Sequence, residues 1–257
     1  NPYMQDNVDN VDTVEASSQW KQIIRTYQSL GLEVDILEGR EGLPDMVFCA
    51  NQSLPYYTAD GNKKVVMSIM NADQREDEVP YIEQWYRQQG YEIHFLDGQN
   101  IDSFEGMGDA LWHPGRRLLW GGYGYRTDQN VYPIISELYD VPIITLELIS
   151  DYFYHLDTCL CLLDEKTAMI HPPAFTEQSL ELIQHVFNTV IEADATETKE
   201  LMACNAVCPD GENVLIQQGS DKTSQKLVNA GFVVHQVKTD EFLKSGGSVF
   251  CMKMLLW

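Results

Sequence analysis

The chain has 257 residues, of which 44% are hydrophobic and 11% aromatic, a composition that excludes disorder and is typical of a globular protein. It carries 39 acidic residues against 17 Lys and Arg, a formal net charge of −22. Nucleic acid is therefore not an expected partner, because binding phosphates requires clustered cations. An acidic surface usually serves solubility alone, although it also favours a small cationic substrate.

The apolar runs and the cysteines indicate the compartment. No apolar run approaches the ~20 residues of a membrane span, and the first residues are polar and acidic rather than a secretory signal. We therefore expect a cytoplasmic protein, in which six cysteines do not imply a disulfide framework. Most of them stand in or beside apolar runs and are interpreted as small core residues. Cys204 and Cys208 lack a second Cys or His pair at zinc-ligand spacing, so we predict no metal site.

Five segments have the apolar periodicity of amphipathic helices. They cover residues 16–30, 76–89, 129–138, 177–187 and 221–230. Each is followed by a short run typical of a β-strand. These runs cover residues 33–37, 91–96, 143–148, 189–193 and 232–237. Gly31, Gly90 and Gly231 stand where three of the helices should end, as expected for residues that adopt positive φ.

Paired apolar runs joined by turns lie between these helical units. The pairs are residues 45–50 with 64–69, 110–112 with 118–122, 158–163 with 168–171, and 205–207 with 214–217. The recurring unit is strand, strand, helix, strand, repeated every ~45–55 residues without a linker, so we expect residues 1–257 to form a single domain. Five such units favour an α/β propeller with a central channel, where loops converge on a small ligand. An open α/β sandwich is the alternative.

Three short segments contain residues that could carry chemistry, although each is weak alone. Cys251 follows a Gly-Gly turn at 246–247, which lets the backbone approach a ligand closely, but an isolated free Cys is more often a buried hydrophobe. In the second segment an extended chain would place His155 and Asp157 on one face, where the carboxylate raises the basicity of a catalytic imidazole. A structural, hydrogen-bonded His is the simpler interpretation.

The third segment combines acidic residues with an Arg. Glu105 and Asp109 lie on a Gly-containing loop, and Arg126 follows the Gly-rich run 121–124. Carboxylates recognise a guanidinium by paired, charge-assisted hydrogen bonds, and Arg recognises a carboxylate in the same way. Together with Cys251 and the His-x-Asp segment, these residues supply the groups that an amino acid bearing a guanidine would need.

The order of these segments resembles the guanidine-modifying, or pentein, superfamily. The matching pieces are Ala-Asn at 50–51, Glu-Gly-Met-Gly-Asp at 105–109, Gly-Tyr-Gly-Tyr-Arg-Thr at 122–127, His-Leu-Asp at 155–157 and Gly-Gly-Ser-Val-Phe-Cys at 246–251. The resemblance covers residues 44–251 and implies a five-bladed α/β propeller of ββαβ units around an active-site channel. It also implies a hydrolase of linear amidines that needs no metal or organic cofactor. A ribosome anti-association factor has a similar fold without being an enzyme, so a binding protein is the alternative from another class.

The resemblance implies a role for each matching residue. Cys251 would be the nucleophile and His155 the general acid and base, with Glu105 orienting the imidazole. Arg126 is matched to the residue that binds the substrate α-carboxylate, and Glu105 and Asp157 to ligands of the guanidinium. The candidates for binding the substrate's polar groups are Asn51, Asp157, Arg126, Asp109 and Arg75.

Asn51 stands where deiminases of the superfamily typically have an acid, and the dihydrolases resemble this chain there. A neutral amide can donate to a ureido oxygen, so the product of a first hydrolysis would be held for a second one. An Asn that merely closes a turn is the simpler interpretation. We therefore predict an arginine dihydrolase that releases ornithine, ammonia and carbon dioxide. A deiminase, a dimethylarginine hydrolase and an amidinotransferase stay open, as does a homo-oligomeric state.

Overall fold

A computed structural model describes residues 7, 10–58, 61–96 and 100–256. Within these ranges five helices lie close to the predicted positions, and four shorter helices are additional to the prediction. The helices are α1 (Thr13–Ser29), α2 (Asp73–Glu76), α3 (Val79–Gln88), α4 (Gly106–Asp109), α5 (Val131–Tyr139), α6 (Glu177–Val186), α7 (Ala195–Leu201), α8 (Asp221–Asn229) and α9 (Asp240–Leu243). Gly31, Gly90 and Gly231 follow α1, α3 and α8 with φ of +80°, +78° and +101°. Their prediction as helix ends is confirmed.

The strands found within the described residues form four small sheets. They are β1 (Ser53–Tyr57), β2 (Lys63–Met67), β3 (Glu92–His94), β4 (Ala110–Trp112), β5 (Leu119–Tyr123), β6 (Ile143–Glu147), β7 (Leu160–Leu162), β8 (Thr167–Ile170), β9 (Thr189–Glu192), β10 (Asn213–Gln217) and β11 (Val233–Val237). Three sheets have the orders β1-β2-β3, β4-β5-β6 and β7-β8-β9. In each, the first pair is antiparallel and the second parallel. A helix connects the two parallel strands, which confirms the ββαβ unit.

The fourth unit has a shorter sheet. Strands β10 and β11 pair in parallel with α8 between them, but the predicted strand at 205–207 is reduced to one antiparallel bridge between Val207 and Leu215. The reason is that Asn205 is held by another loop, at 248–251, whose N–H groups donate to its backbone carbonyl and side-chain oxygen. The unit therefore keeps the order strand, strand, helix, strand, but its first strand consists of a single bridge residue.

The strand predicted after α1 is wrong. Residues 33–37 form no strand, and Ile36 is 57% exposed. The apolar alternation of this run predicts a strand, but no neighbouring strand covers it, and a β-strand is stabilised by its cross-strand partners. In the unit of α1 the helix contacts α9 and β11 instead.

The strand predicted at 45–50 is also wrong. Pro44 begins a 3₁₀ helix that ends at Val47, since proline fixes φ at a helical value and suits a first helical position. The strand that pairs with β2 is β1, which contains Pro55. β1 lies at the edge of its sheet, where a residue without an N–H is tolerated. Because proline argues against a strand, the sequence did not predict β1.

The sheets lie inside the molecule and the longer helices cover them. Four of the five residues of β5, including Trp120, are buried, whereas α3 and α8 each bury one face only. This is the mixed α/β architecture expected from strand runs that are apolar along their length. Of the helices in the described ranges, none combines the length and apolar content that crossing a membrane requires.

Candidate active site

The site is formed by four segments that occupy equivalent places in successive units and by a fifth that follows α9. They are residues 50–52 before β1, 105–109 before β4, 155–158 before β7, 204–206 before the bridge of the fourth unit, and 248–251. Backbone hydrogen bonds join neighbouring segments: Ala50 N–H donates to Cys251 O at 3.2 Å, Met107 N–H to Ala50 O at 2.8 Å, and Phe250 N–H to Asn205 O at 3.0 Å. Loops from different units therefore converge on one region, as a radial repeat predicts.

Cys251 is buried between two polar side chains. Only 4% of the residue is exposed, and the preceding turn contains Gly246 with φ of +82°, a conformation that favours glycine. The Sγ donates to Asp157 Oδ2 at 3.2 Å and accepts from Asn205 Nδ2 at 3.1 Å. Burial, and then the Asp157 carboxylate, raises the pKa of the Cys251 thiol well above its ordinary value. Without a substrate, these surroundings therefore favour the thiol over the thiolate.

Asn205 is the residue that holds the Cys251 loop in place. Its Oδ1 accepts from the backbone N–H groups of Ser248, Phe250 and Cys251 at 3.2, 3.2 and 3.3 Å. Its Nδ2 also donates to the carbonyl of Asp157 at 3.1 Å. The sequence analysis missed this residue. The one available signal was that Cys-Asn-Ala at 204–206 recurs in altered order as Cys-Ala-Asn at 49–51, in equivalent loops.

His155 and Glu105 form a buried ion pair. His155 Nε2 lies 2.6 Å from Glu105 Oε2, and Asn71 N–H donates to Glu105 Oε1 at 3.0 Å. Burial by itself would raise the pKa of Glu105, but His155 and Arg126 lower it to about 2. Burial likewise lowers the pKa of His155, but Asp109 and Glu105 outweigh it and raise the value. The two carboxylates thus favour the protonated imidazole, the form that can donate a proton.

The backbone between His155 and Asp157 differs from the prediction. His155 is extended, with φ of −124° and ψ of 151°, but Leu156–Thr158 is a 3₁₀ helix. Asp157 is therefore turned toward Cys251, while His155 contacts Glu105. Asp157 Oδ1 is buried and has no hydrogen-bond partner, an arrangement that costs free energy unless a donor fills it. A guanidinium could supply that donor.

Arg126 contacts the Glu105 carboxylate of the His155–Glu105 pair. Its Nη1 is 3.3 and 3.4 Å from the two carboxylate oxygens of Glu105, and its Cζ is 4.7 Å from the centre of the Tyr154 ring. The side chain is 19% exposed, against 0% for Glu105. Glu105 therefore already binds a guanidinium here, and Arg126 is the part of the site that reaches solvent.

Asn51 and Arg75 lie together on one side of the site. Arg75 Nη1 donates to Asn51 Oδ1 at 2.9 Å, and the other Arg75 nitrogens donate to Glu78 and to backbone carbonyls at 45 and 48. Asn51 Nδ2 is buried without a partner. Arg75 is 8% exposed, so its guanidinium is committed to Asn51 and Glu78. The Asn51 amide is left with its nitrogen available.

Asp109, the remaining candidate, joins two loops of the site. Its Oδ1 accepts from Leu156 N–H at 2.9 Å and its Oδ2 from Thr127 Oγ1 at 2.7 Å. Burial raises its pKa to about 6. Both carboxylate oxygens therefore accept hydrogen bonds from chain neighbours of His155 and Arg126. Asp109 holds the His155 and Arg126 loops together.

Lys253 is a second residue that the sequence analysis missed. It is buried two positions after Cys251, its Nζ has no hydrogen-bond partner, and burial lowers its pKa to about 7. Within the described ranges no three His, Cys, Asp or Glu side chains are grouped so that they could hold a metal. The chemistry that these residues can perform is acid–base and nucleophilic.

Comparison with known proteins identifies the family of this chain. The family model described as eukaryotic N,N-dimethylarginine dimethylhydrolase matches residues 2–256. The bifunctional arginine dihydrolase/ornithine cyclodeaminase ArgZ of Synechocystis sp. is 34% identical over 99% of this chain and 35% of its own length. The N(G),N(G)-dimethylarginine dimethylaminohydrolase of Mycobacterium tuberculosis is 35% identical over 98% of this chain and 78% of its own length.

The fold is likewise shared with solved structures. The substrate-bound N-terminal domain of ArgZ, a cyanobacterial arginine dihydrolase, has a TM-score of 0.90 and 33% identity over 98% of this chain and 90% of that chain. The chain spans about a third of the length of the curated bifunctional relatives it matches, at 35% for ArgZ and for AgrE of Nostoc sp.. Since the family model covers nearly every residue, this chain belongs to the N,N-dimethylarginine dimethylhydrolase family of pentein-type, guanidine-modifying proteins.

Proposed function

We propose that this chain hydrolyses free arginine to ornithine, carbon dioxide and ammonia, with residues 1–257 forming one catalytic domain that uses no cofactor. Two waters are consumed and two molecules of ammonia leave. The proposal rests mainly on the Asn51 amide, whose nitrogen is buried and unpartnered in the same site as the Cys251 thiol and the His155–Glu105 pair. The similarity to ArgZ supports it. A cytoplasmic location suits six cysteines that are all free thiols.

Substrate binding would exchange one guanidinium for another. The cationic end of arginine would take the place of the Arg126 guanidinium on Glu105 and donate to the unpartnered Oδ1 of Asp157. Arg126, released from Glu105, would turn toward the more exposed α-carboxylate. A cation next to Cys251 also lowers the free energy of the thiolate relative to the thiol. The thiol then gives its proton to Asp157 Oδ2, which already accepts its hydrogen bond, so the nucleophile forms when the substrate is bound.

The first hydrolysis uses Cys251 and His155 in turn. The thiolate adds to the guanidinium carbon, and protonated His155 donates to one terminal nitrogen, which leaves as ammonia. The S-alkyl amidino intermediate stays bound to Cys251. Neutral His155 then takes a proton from water, which attacks this carbon, the C–S bond breaks, and citrulline is formed. Glu105 keeps the imidazole oriented through both steps.

The second hydrolysis depends on holding citrulline. Its ureido oxygen can accept from Asn51 Nδ2, whereas a carboxylate at this position would repel that oxygen. Cys251 can then attack the ureido carbon and expel the second ammonia. Water releases the resulting thiocarbamate as a carbamate on the ornithine nitrogen, which loses carbon dioxide.

A second candidate is hydrolysis of dimethylarginine. The family model and the mycobacterial relative favour it, and the same Cys251 and His155 would expel dimethylamine instead of ammonia. The two candidates differ in the leaving group that the site must accommodate. Purified protein given asymmetric dimethylarginine or arginine, each at the same concentration, separates them by which one is consumed faster.

The product from arginine tests the main proposal. We expect labelled arginine to yield ornithine as the end product, and Asn51→Asp to accumulate citrulline while arginine is still consumed. Chromatography of amino acids over a time course measures both, with Cys251→Ser as the control that consumes nothing. Citrulline as the sole end product of the unmodified protein would leave a deiminase, and Asn51→Asp that still makes ornithine would remove the role of the amide.

A further inference from the structure

Arg75 is a buried guanidinium with a fixed set of acceptors. Its Nε lies 3.2 and 3.1 Å from the two Glu78 oxygens, and its Nη2 donates to Glu78 Oε2 at 3.0 Å. Glu78 is 1% exposed and accepts in addition from Gln52 Nε2 at 2.5 Å. Two backbone carbonyls, at 3.1 and 3.2 Å, complete the contacts of Nη2. Arg75 therefore has little freedom to move toward a ligand.

The contact between Arg75 and Asn51 determines which end of the amide faces the site. A guanidinium donates and never accepts, so the atom of Asn51 that lies 2.9 Å from Arg75 Nη1 must be Oδ1. The Nδ2 is then directed to the opposite side. Rotating the amide by half a turn would place two donors against each other and leave Arg75 Nη1 without this acceptor.

The free amide nitrogen lies next to the His155 ring. A Cβ added at Gly108 would collide with Asn51 Nδ2 and would stand 3.3 Å from His155 Cδ2. Asn51 Nδ2 and His155 Cδ2 therefore both lie beside the place that a side chain at Gly108 would occupy. Because a side chain at this position would fill that space, Gly108 keeps the Asn51 donor and the His155 ring side by side.

We propose that Arg75 is a positioning residue that sets product specificity by fixing the Asn51 amide with its N–H groups toward the substrate. With the amide so oriented, the ureido oxygen of citrulline gains a donor and the intermediate is retained. Without Arg75, the amide can present Oδ1, which repels a ureido oxygen but suits a cationic guanidinium. This inference rests on the proposed function, since it assigns a residue to the second hydrolysis.

Binding measurements without turnover test it. In a Cys251→Ser parent, isothermal titration gives the Kd of arginine and of citrulline. Arg75→Lys keeps a cation beside Glu78 but loses the planar fork, and Glu78→Gln is the matched control, which weakens the same ion pair but keeps the Arg75–Asn51 contact. The double variant Arg75→Met/Glu78→Met replaces the buried pair with apolar side chains of similar size, a change that proteins often tolerate.

We expect Arg75→Lys and the double variant to raise the ratio of the citrulline Kd to the arginine Kd by about tenfold, the value of one hydrogen bond. Glu78→Gln should leave that ratio within about twofold of the parent. Equal loss of both affinities, or the same selective loss in Glu78→Gln, would mean that Arg75 acts only on stability and would overturn the inference. A parent that binds arginine but not citrulline would overturn both this inference and the dihydrolase proposal, before Arg75 is changed.

Discussion

Asn205 offers a prediction whose size follows from its contacts. Its side chain accepts from three backbone N–H groups of the Cys251 loop and donates to Cys251 Sγ. Phe250 N–H has a second acceptor in the carbonyl of Asn205, and Ser248 N–H has one in the Cys251 sulfur. Asn205→Ala would therefore leave two buried groups, the Cys251 N–H and the Asp157 carbonyl, without a partner. At roughly 1–3 kcal/mol for each unsatisfied group, the unfolding free energy should fall by about 3 kcal/mol.

A loss of about 3 kcal/mol corresponds to a fall in Tm of roughly 6–12 °C for a chain of this size. Asn205→Asp separates this structural effect from the chemical one. Its carboxylate still accepts from the loop, but it places a negative charge beside Cys251 Sγ in place of a donor, which disfavours the thiolate. We therefore expect Asn205→Asp to lose activity by about 10²-fold or more with a smaller fall in Tm than Asn205→Ala.

Thermal unfolding by circular dichroism and steady-state kinetics with arginine measure the two effects. A Tm of Asn205→Ala within about 2 °C of the unmodified protein would refute the stability argument. An Asn205→Asp variant with full activity would show that the contact with Cys251 Sγ does not affect the nucleophile.

Two further predictions concern Arg126 and the His155–Glu105 pair. Arg126→Ala should raise the KM for arginine by about 10–100-fold, as expected for losing a charge-assisted contact. Agmatine, which lacks the α-carboxylate, should be a poor substrate of the unmodified protein. Equal turnover of agmatine and arginine would contradict the binding of the α-carboxylate by Arg126. The pKa of Glu105 is lowered to about 2. Its ionised carboxylate therefore adds to the unfolding free energy above pH 4.5, and this contribution is lost as the pH falls toward 2. The pKa of His155 is raised, so its contribution is present below 6.5 and is lost as the pH rises through the folded value. Tm measured against pH should fall at both ends, and Glu105→Gln should flatten both slopes.

The repeat and the chemistry-bearing residues could be predicted from the sequence because they depend on local patterns. Apolar periodicity and the glycines after α1, α3 and α8 reflect backbone preferences within a few residues. The ββαβ order followed from them. Cys251, His155 and Glu105 stood in motifs short enough to recognise, and the structure brings all three into one buried region.

The contacts within the site were decided by the tertiary structure alone. Asn205 is 46 positions from Cys251, and Arg75 is 24 positions from Asn51, so no local pattern predicts that these side chains meet. The same limit explains the strand errors: residues 33–37 have strand periodicity but no partner strand, and β1 contains a proline that only an edge position tolerates. Side-chain type and spacing determine which chemistry this chain can perform. Which amide keeps a buried nitrogen without a partner and which thiol is held beside a carboxylate depend on contacts between distant units, which form only when the chain has folded.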